Sequence, residues 1–198
     1  MTPDLFFAFA AFALIASITP GPNNLMLMAS GTNFGLVRSI PHMLGVAIGF
    51  TAMVLLVGLG LAQVFAAYPV AHEALKWLCT IYLLYLAWKI ATAPPPEAGA
   101  ARGKPMTFVQ AALFQWVNPK GWTMALTAVS AYAVGDSVWS YVLIALIFGI
   151  INLPSISVWT VLGVQMRRFL NNPGALRAFN IGAALLLVAS LYPALVSH

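Results

Sequence analysis

The chain has 198 residues, of which 62% are hydrophobic and only 7% are charged, and its mean hydropathy is +0.92. Because soluble domains carry roughly a quarter charged residues, this composition excludes an ordinary water-soluble protein. The formal net charge of +5 does not indicate a nucleic-acid partner, since the bases lie scattered at the ends of apolar segments and form no basic stripe.

Six apolar runs follow one another along the chain. They cover residues 5–30, 40–65, 74–92, 108–131, 138–162 and 178–196. A helix needs about 20 residues to cross the hydrocarbon core of a bilayer, whereas barrel strands are shorter and alternate in polarity. The sequence therefore predicts an all-α integral membrane protein with six transmembrane helices.

The first run contains a helix break. Residues 19–24 have the sequence Thr-Pro-Gly-Pro-Asn-Asn in the middle of apolar sequence. Proline removes a helical hydrogen-bond donor and clashes with the preceding turn, and glycine loosens the backbone further.

The first run is predicted to be retained in the protein and not cleaved as a signal peptide. A signal peptide would carry a basic N-terminal region and a small-residue cleavage site, but this N-terminus has Asp4 and no base.

A polar linker at residues 93–106, rich in proline and glycine, divides the chain near its middle. It separates two groups of three helices, residues 1–92 and residues 107–198, within a single membrane domain.

The bases in or beside the first, third and fifth loops are Arg38, Lys89, Arg102, Lys104, Arg167, Arg168 and Arg177. The other loops hold only Lys76. By the positive-inside rule, we expect the linker in the cytoplasm and both termini in the periplasm.

The fourth run contains a matching break at residues 117–122, Val-Asn-Pro-Lys-Gly-Trp. Residues 5–18 alone would form a helix of about 21 Å, and residues 122–134 one of about 20 Å, so neither could span a bilayer by itself. Each break is therefore predicted to lie within the membrane, where irregular backbone is tolerated only against protein or around a polar cavity. Ordinary proline kinks are the alternative interpretation.

The two breaks fall at corresponding places in the two halves of the chain. Pro20 lies 29 residues before Gly49, and Pro119 lies 30 residues before Gly149. Because each half has an odd number of helices, the halves are predicted to be inverted repeats, with the first helix of each broken in mid-membrane. Paired interrupted helices in inverted repeats mark the midplane binding site of many transporters.

Lys120 is the charged residue at the second break. It lies about 12 residues from either end of its run, too deep for its stem to reach the interface comfortably. A lysine at the bilayer centre costs about 2.5–3.5 kcal/mol on insertion scales and is a functional hypothesis by default. No acid lies deep in any run, so its predicted partners are carbonyls freed by the breaks, nearby amides and a bound anion. A position nearer the interface is the alternative.

These residues resemble the LysE/RhtB superfamily of bacterial amino-acid exporters. Its N-terminal signature matches the run Ile18-Thr19-Pro20-Gly21-Pro22-Asn23, followed by Gly35, Arg38, Gly45 and Gly49. Its second motif resembles Asn118-Pro119-Lys120, and the similarity extends over essentially the whole chain. Two places depart from the pattern: Ser39 replaces a common glycine, and Pro41-His42 is unusual at the start of the second run.

The resemblance implies a secondary transporter of the bacterial inner membrane that exports amino acids or close derivatives. Substrates in the family include lysine, homoserine, threonine, leucine and cysteine-pathway metabolites, and export is typically driven by the proton gradient. A passive channel and an integral-membrane enzyme are the alternatives. The sequence shows no continuous polar pore lining, and three scattered histidines with four peripheral acids supply no catalytic constellation.

The predicted solute site consists of the residues at the two breaks. They are Pro20, Gly21, Pro22, Asn23, Asn24, Asn118, Pro119 and Lys120. Lys120 and the N-terminal amides of half-helices would bind the solute carboxylate, and freed carbonyls with Asn23 or Asn24 would bind its ammonium. The predicted partners are the solute and the lipid bilayer, with no nucleic acid, metal or cofactor. The lone Cys79 allows no thiol site. The sequence does not decide between a monomer and a homo-oligomer.

Three further groups of residues carry weaker predictions. Gly45 and Gly49 form a small-residue face that indicates close helix packing. His42 is predicted to lie at the interface, because it follows Arg38 by one helical turn at a helix end. Gln115, Asn152 and Asn180 are assigned equally to interhelical hydrogen bonds and to the site.

Overall fold

The computed structural model describes residues 1–61, 63, 67–93, 104–135, 137–167, 169–170 and 172–190, and all regular structure in these ranges is helical. The α-helices are α1 (Pro3–Ile18), α2 (Pro22–Leu56), α3 (Pro69–Ala91), α4 (Phe108–Phe114), α5 (Pro119–Tyr132), α6 (Val138–Met166) and α7 (Pro173–Ala189). A π-helical turn (Val57–Leu61) extends α2, and a 3-10 turn (Gln115–Val117) follows α4. The predicted all-α class is thus confirmed for this part of the chain.

Helix α2 is a hairpin of two antiparallel arms. Gly35 interrupts it with φ 78° and ψ 174°, a conformation that glycine adopts without steric cost. Residues nine apart in a straight helix are separated by about 13.5 Å, yet the Ser30 and Ser39 hydroxyls are hydrogen-bonded at 2.7 Å. The chain therefore reverses at Gly35. We call residues 22–34 the first arm and residues 36–56 the second arm.

Both helix breaks lie at the predicted residues. Between the end of α1 and the start of α2, Thr19 and Gly21 have extended backbone. In the second half, Asn118 has extended backbone and separates the 3-10 turn from α5, which begins at Pro119. Proline is favoured at the first position of a helix, because its missing N–H would have no partner there. Helices α1 and α5, with 16 and 14 residues, are about 24 and 21 Å long and cannot span a bilayer alone.

Glycines bring the second arm of α2 close to α4. A Cβ added to Gly45 would meet the Phe108 carbonyl and the Ala111 side chain, and one added to Gly49 would lie 2.6 Å from the Cα of Ala112. Backbones approach this closely only where both faces carry small residues. The prediction that Gly45 and Gly49 serve helix packing is confirmed.

One end of the bundle carries most of the positive charge. At the Gly35 end, the Thr32 hydroxyl donates to the Gly163 carbonyl of α6 at 2.9 Å, and Asn33 is hydrogen-bonded to Asn180 of α7 at 3.2 Å. The bases among the described residues at this end are Arg38, Lys89, Lys104, Arg167 and Arg177. All five therefore share the end that the loop charges predict to be cytoplasmic.

The opposite end holds the start of α1 and the acidic Asp4. There the Phe9 ring lies 5.1 Å from that of Tyr132 at the end of α5 and 5.7 Å from that of Phe148 in the first half of α6. These aromatic contacts join α1, α5 and α6 into the main apolar core. The five bases at the Gly35 end thus have no equivalent cluster at this end, where the charged residues of α1 and of the start of α3 are Asp4, Glu73 and Lys76.

The outer surface of the bundle is apolar. Phe7, Trp139 and Phe169 are 69%, 81% and 84% exposed, which a protein in water would avoid over so large a surface. Two described helical stretches are by length and composition apolar enough to cross a membrane: Val138–Met166, and Pro22–Leu61, which reverses direction at Gly35. The other apolar helices are shorter, so the count of six spans stays a prediction, and the last residues of the sixth run lie outside the described residues.

Candidate functional site

The two helix breaks meet in space, and Lys120 joins them. Its ammonium donates hydrogen bonds to the Thr19 carbonyl at 2.7 Å, the Thr19 hydroxyl at 2.9 Å and the Pro20 carbonyl at 3.3 Å. A lysine ammonium has three hydrogens, so these acceptors use its whole donor capacity. Of the predicted partners of Lys120, the carbonyls freed by the break are thus found, whereas the amides of Asn23, Asn24 and Asn118 are not among its hydrogen-bond acceptors in the described residues.

Gly21 makes room for the lysine stem at the junction. A Cβ added to this residue would lie 2.6 Å from Cδ and 3.2 Å from Nζ of Lys120. Real Cβ atoms do not approach other atoms at 2.6 Å, so any larger residue would displace the lysine side chain. The glycine of the Pro-Gly-Pro sequence therefore serves close approach between the two breaks, in addition to breaking the helix.

Amide side chains make the second link between the breaks. The Asn23 amide donates to Gln115 Oε1 at 2.7 Å, and the Gln115 amide donates back to Asn23 Oδ1 at 3.2 Å. The Asn24 amide donates to the carbonyls of Ser17 and Thr19, at 2.8 and 2.7 Å, and so ties the end of α1 to the start of α2. These bonds satisfy carbonyls that lack helical partners, as membrane proteins require.

A small cavity lies between the breaks. The predicted residues that line it are Gly21, Asn23, Asn24, Asn118 and Lys120, and the rest of its wall is Ala16, Ser17, Phe50, Gly121, Met124, Asn152 and Ile156. It offers about 20 Å³ to a water-sized sphere, whereas one such sphere needs about 10–15 Å³. The cavity therefore has space for about one water molecule and is too small for an amino acid.

The prolines of the predicted site do not line the cavity, whereas its polar residues do. Pro20 contributes its carbonyl to Lys120, while Pro22 and Pro119 occupy the first positions of their helices and do not line the cavity. Asn118 is buried, and its side-chain oxygen has no hydrogen-bond partner in the described part of the chain. A buried oxygen beside a cavity is an acceptor that a solute ammonium could use.

Sequence reasoning missed some members of this site. Ser17 lines the cavity, and Thr19 supplies two of the three acceptors for Lys120. Asn152, which the sequence assigned equally to the site and to interhelical hydrogen bonds, also lines the cavity. The Ser17 hydroxyl is buried without a hydrogen-bond partner in the described residues. Thr19 belongs to the break sequence and could have been included on that ground, but no local signal distinguishes Ser17 from other small residues of α1.

The position of His42 corrects a prediction. Only 1% of its surface is exposed, so this histidine is inside the bundle and not at the interface. The proximity of Arg38 in sequence was misleading, because the tight turn at Gly35 packs the first turns of the second arm against neighbouring helices. Asn180 is hydrogen-bonded to Asn33 of another helix. Of the two roles predicted for Asn180, the structure therefore supports the interhelical hydrogen bond.

The site can present both kinds of hydrogen-bonding group to a zwitterion. A carboxylate could bind the Lys120 ammonium, the amides of Asn23 and Asn24 and the N-terminal turns of α2 and α5 by displacing the acceptors that these side chains now have. The unpaired Asn118 oxygen, and the backbone carbonyls released in that exchange, could accept from an ammonium. None of the residues that line the cavity is acidic, so nothing there would neutralise a solute with a net positive charge.

Comparison with known proteins identifies the family. Residues 14–190 match the profile of LysE type translocators. The chain is 34% identical over 191 residues to the cysteine/O-acetylserine efflux proteins of Escherichia coli (strain K12) and Shigella sonnei (strain Ss046), and the similarity covers 95% of this chain and 96% of each relative. No solved structure matches the chain.

The match over residues 14–190 includes both helix breaks and the whole candidate site. It confirms the resemblance drawn from the Pro-Gly-Pro and Asn-Pro-Lys motifs. The family consists of transporters and not of enzymes, which decides against the enzyme alternative. The chain therefore belongs to the LysE family of translocators, which are inner-membrane exporters.

Proposed function

We propose that this protein is a secondary transporter that exports a small α-amino acid or close derivative in exchange for protons. The relatives named as cysteine/O-acetylserine efflux proteins make these two solutes the first candidates. Both are zwitterions with uncharged side chains at neutral pH, which suits a site without a carboxylate. The observation that carries the proposal is the convergence of the two breaks on Lys120.

In this proposal the small cavity is the closed form of the solute site. The solute carboxylate would replace the Thr19 and Pro20 carbonyls as partner of the Lys120 ammonium, and the released carbonyls would then bind the solute ammonium. Binding thus exchanges one set of hydrogen bonds for another and requires the two breaks to move apart. A closed cavity with space for about one water molecule does not favour a continuously open channel.

The proposal includes six transmembrane helices in two inverted repeats, residues 1–92 and 107–198, joined by the linker at residues 93–106. Contacts between equivalent elements support it. The first break contacts the second, the second arm of α2 packs on α6, and α3 packs on α7. Such pairing is what a pseudo-two-fold axis in the membrane plane would produce.

The proposed orientation has both termini in the periplasm and the linker in the cytoplasm. It follows from the cluster of bases at the Gly35 end. Reporter fusions at residue 100 should be active only with a cytoplasm-specific reporter, and fusions at the C-terminus only with a periplasm-specific one. A cytoplasmic C-terminus would contradict both the orientation and the six-helix count.

Transport in everted membrane vesicles tests the function directly. Vesicles that contain the protein should accumulate reduced L-[35S]cysteine when respiration acidifies their interior, and a protonophore should abolish the accumulation. Vesicles from cells with an empty vector are the control. Equilibration of cysteine that does not respond to the gradient would indicate a channel, and no uptake of either cysteine or O-acetylserine would contradict the proposed substrates.

A further inference from the structure

His42 is a buried titratable group that the solute site does not use. It lies in the second arm of α2, and neither ring nitrogen has a hydrogen-bond partner in the described part of the chain. Leaving a buried polar atom unpaired destabilises the fold, and each such atom in a native protein calls for an explanation. Among the side chains described as buried, His42 is the one that titrates.

A second cavity lies next to His42, at the positively charged end of the bundle. Its volume is about 350 Å³ on the same measure that gives about 20 Å³ for the small cavity, so at about 10–15 Å³ for each water molecule it has space for roughly twenty-five to thirty-five. Residues from both arms of α2, from α3 and from the segment before α4 line it. They include Ser30, Asn33, His42, Tyr85, Lys89 and Lys104.

The other polar groups at the buried side of this cavity already have partners. The Ser30 and Ser39 hydroxyls are bonded to each other at 2.7 Å. The Asn33 amide donates to the Ala29 carbonyl at 2.8 Å and to Asn180 at 3.2 Å. The imidazole is therefore the buried group beside the cavity whose hydrogen-bonding capacity remains unused.

The charged residues around the second cavity are basic. The titratable groups that line it with His42 are Tyr85, Lys89 and Lys104, and Arg38 lies one turn away on the same arm. Of the other packed helices, α4 has no titratable residue, α6 has Tyr141 and α7 has Arg177. This set contains no carboxylate that could pair with a protonated imidazole, so a proton released by His42 would pass to water in the cavity.

We propose that His42 is the proton-binding group that couples the proton gradient to export, with the second cavity as its connection to the cytoplasm. This inference rests on the proposed function. In each cycle one ring nitrogen takes a proton in the outward-facing conformation and releases it to water in the cavity in the inward-facing one. The imidazole then returns to the neutral form, and one proton has entered for each solute exported.

Two vesicle assays with His42→Gln separate coupling from transport itself. We expect gradient-driven uptake of L-[35S]cysteine to fall at least tenfold, while exchange of external labelled for internal unlabelled cysteine, without a gradient, stays within twofold of the wild type. A role in folding alone would reduce both activities together. His42→Asn, which is smaller and also does not titrate, should behave alike, and His72→Gln, at the first turn of α3, is the matched control.

Proton release from the purified protein gives a second readout. In weakly buffered detergent solution, cysteine added to the wild type should displace protons that a pH dye detects, and His42→Gln should release none. Gradient-driven uptake or proton release that survives in both His42 variants would overturn the inference, as would loss of exchange in both. Failure of the wild type to transport cysteine or O-acetylserine would instead contradict the proposed function.

Discussion

Replacing Lys120 with alanine is expected to abolish export while membrane insertion and protein abundance stay near those of the wild type. Among the described residues that line the proposed site, Lys120 is the one cation. Truncating one partner of a buried, hydrogen-bonded charge pair costs about 2–5 kcal/mol, so solute binding should weaken by roughly thirtyfold or more. Insertion should become easier, because a lysine at the predicted mid-bilayer depth costs about 2.5–3.5 kcal/mol.

Lys120→Arg should be nearly as defective, although it keeps the charge. The lysine stem passes Gly21 so closely that an added Cβ there would lie 2.6 Å from Cδ. A planar guanidinium is wider than an ammonium and cannot donate to the same three acceptors in the same geometry. A variant that restored export would show that positive charge alone is sufficient at this position.

Efflux from whole cells, divided by the amount of protein in the membrane, is the measurement for both variants. Lys76→Ala is the matched control, since it removes a lysine from the loops predicted to face the periplasm and should transport like the wild type. Normal export by Lys120→Ala would mean that the lysine only satisfies the carbonyls of Thr19 and Pro20. The second break would then be a structural kink.

Local chemistry explains why the breaks could be placed from the sequence. Proline and glycine act through their own backbone geometry, so a Pro-Gly-Pro run ends a helix wherever it falls. Helix α2 begins at Pro22 and α5 begins at Pro119, as that chemistry requires. The all-α class could be predicted for a similar reason, because a lipid environment leaves few ways to satisfy the backbone.

The partners of the polar residues could not be predicted in the same way. Lys120 and Thr19 are separated by 101 residues, and Asn23 and Gln115 by 92, so their pairing depends on how the two halves pack. The burial of His42 could not be predicted for the same reason. Its sequence neighbours suggested a position at the membrane interface, whereas helices distant in sequence bury it.

Replacing Gly31 or Gly163 with alanine is expected to loosen the packing of α6 against the first arm of α2, near the Gly35 end of the bundle. A Cβ on Gly31 would meet the Thr160 carbonyl of α6, and one on Gly163 would meet the Met28 carbonyl of the first arm of α2. Both obstacles are backbone atoms, which cannot turn aside as a side chain can, so the helices must separate. Overpacking of this kind typically costs about 1–3 kcal/mol, which corresponds to a melting temperature lower by roughly 2–12 °C for a chain of this length.

Thermal unfolding of the purified protein in detergent tests this, with Gly182→Ala as the matched control. Among the described residues, no heavy atom outside the adjoining backbone of α7 lies within 4 Å of a Cβ added to Gly182. Alanine favours helix by about 1 kcal/mol over glycine, so this variant should melt at or above the wild type. Gly31→Ala and Gly163→Ala act on the same helix separation. Combining them should therefore lower the melting temperature by less than the sum of the two single effects. Full additivity would show that each glycine relieves a separate contact, and a wild-type melting temperature for Gly163→Ala would show that α2 and α6 do not approach as closely as described.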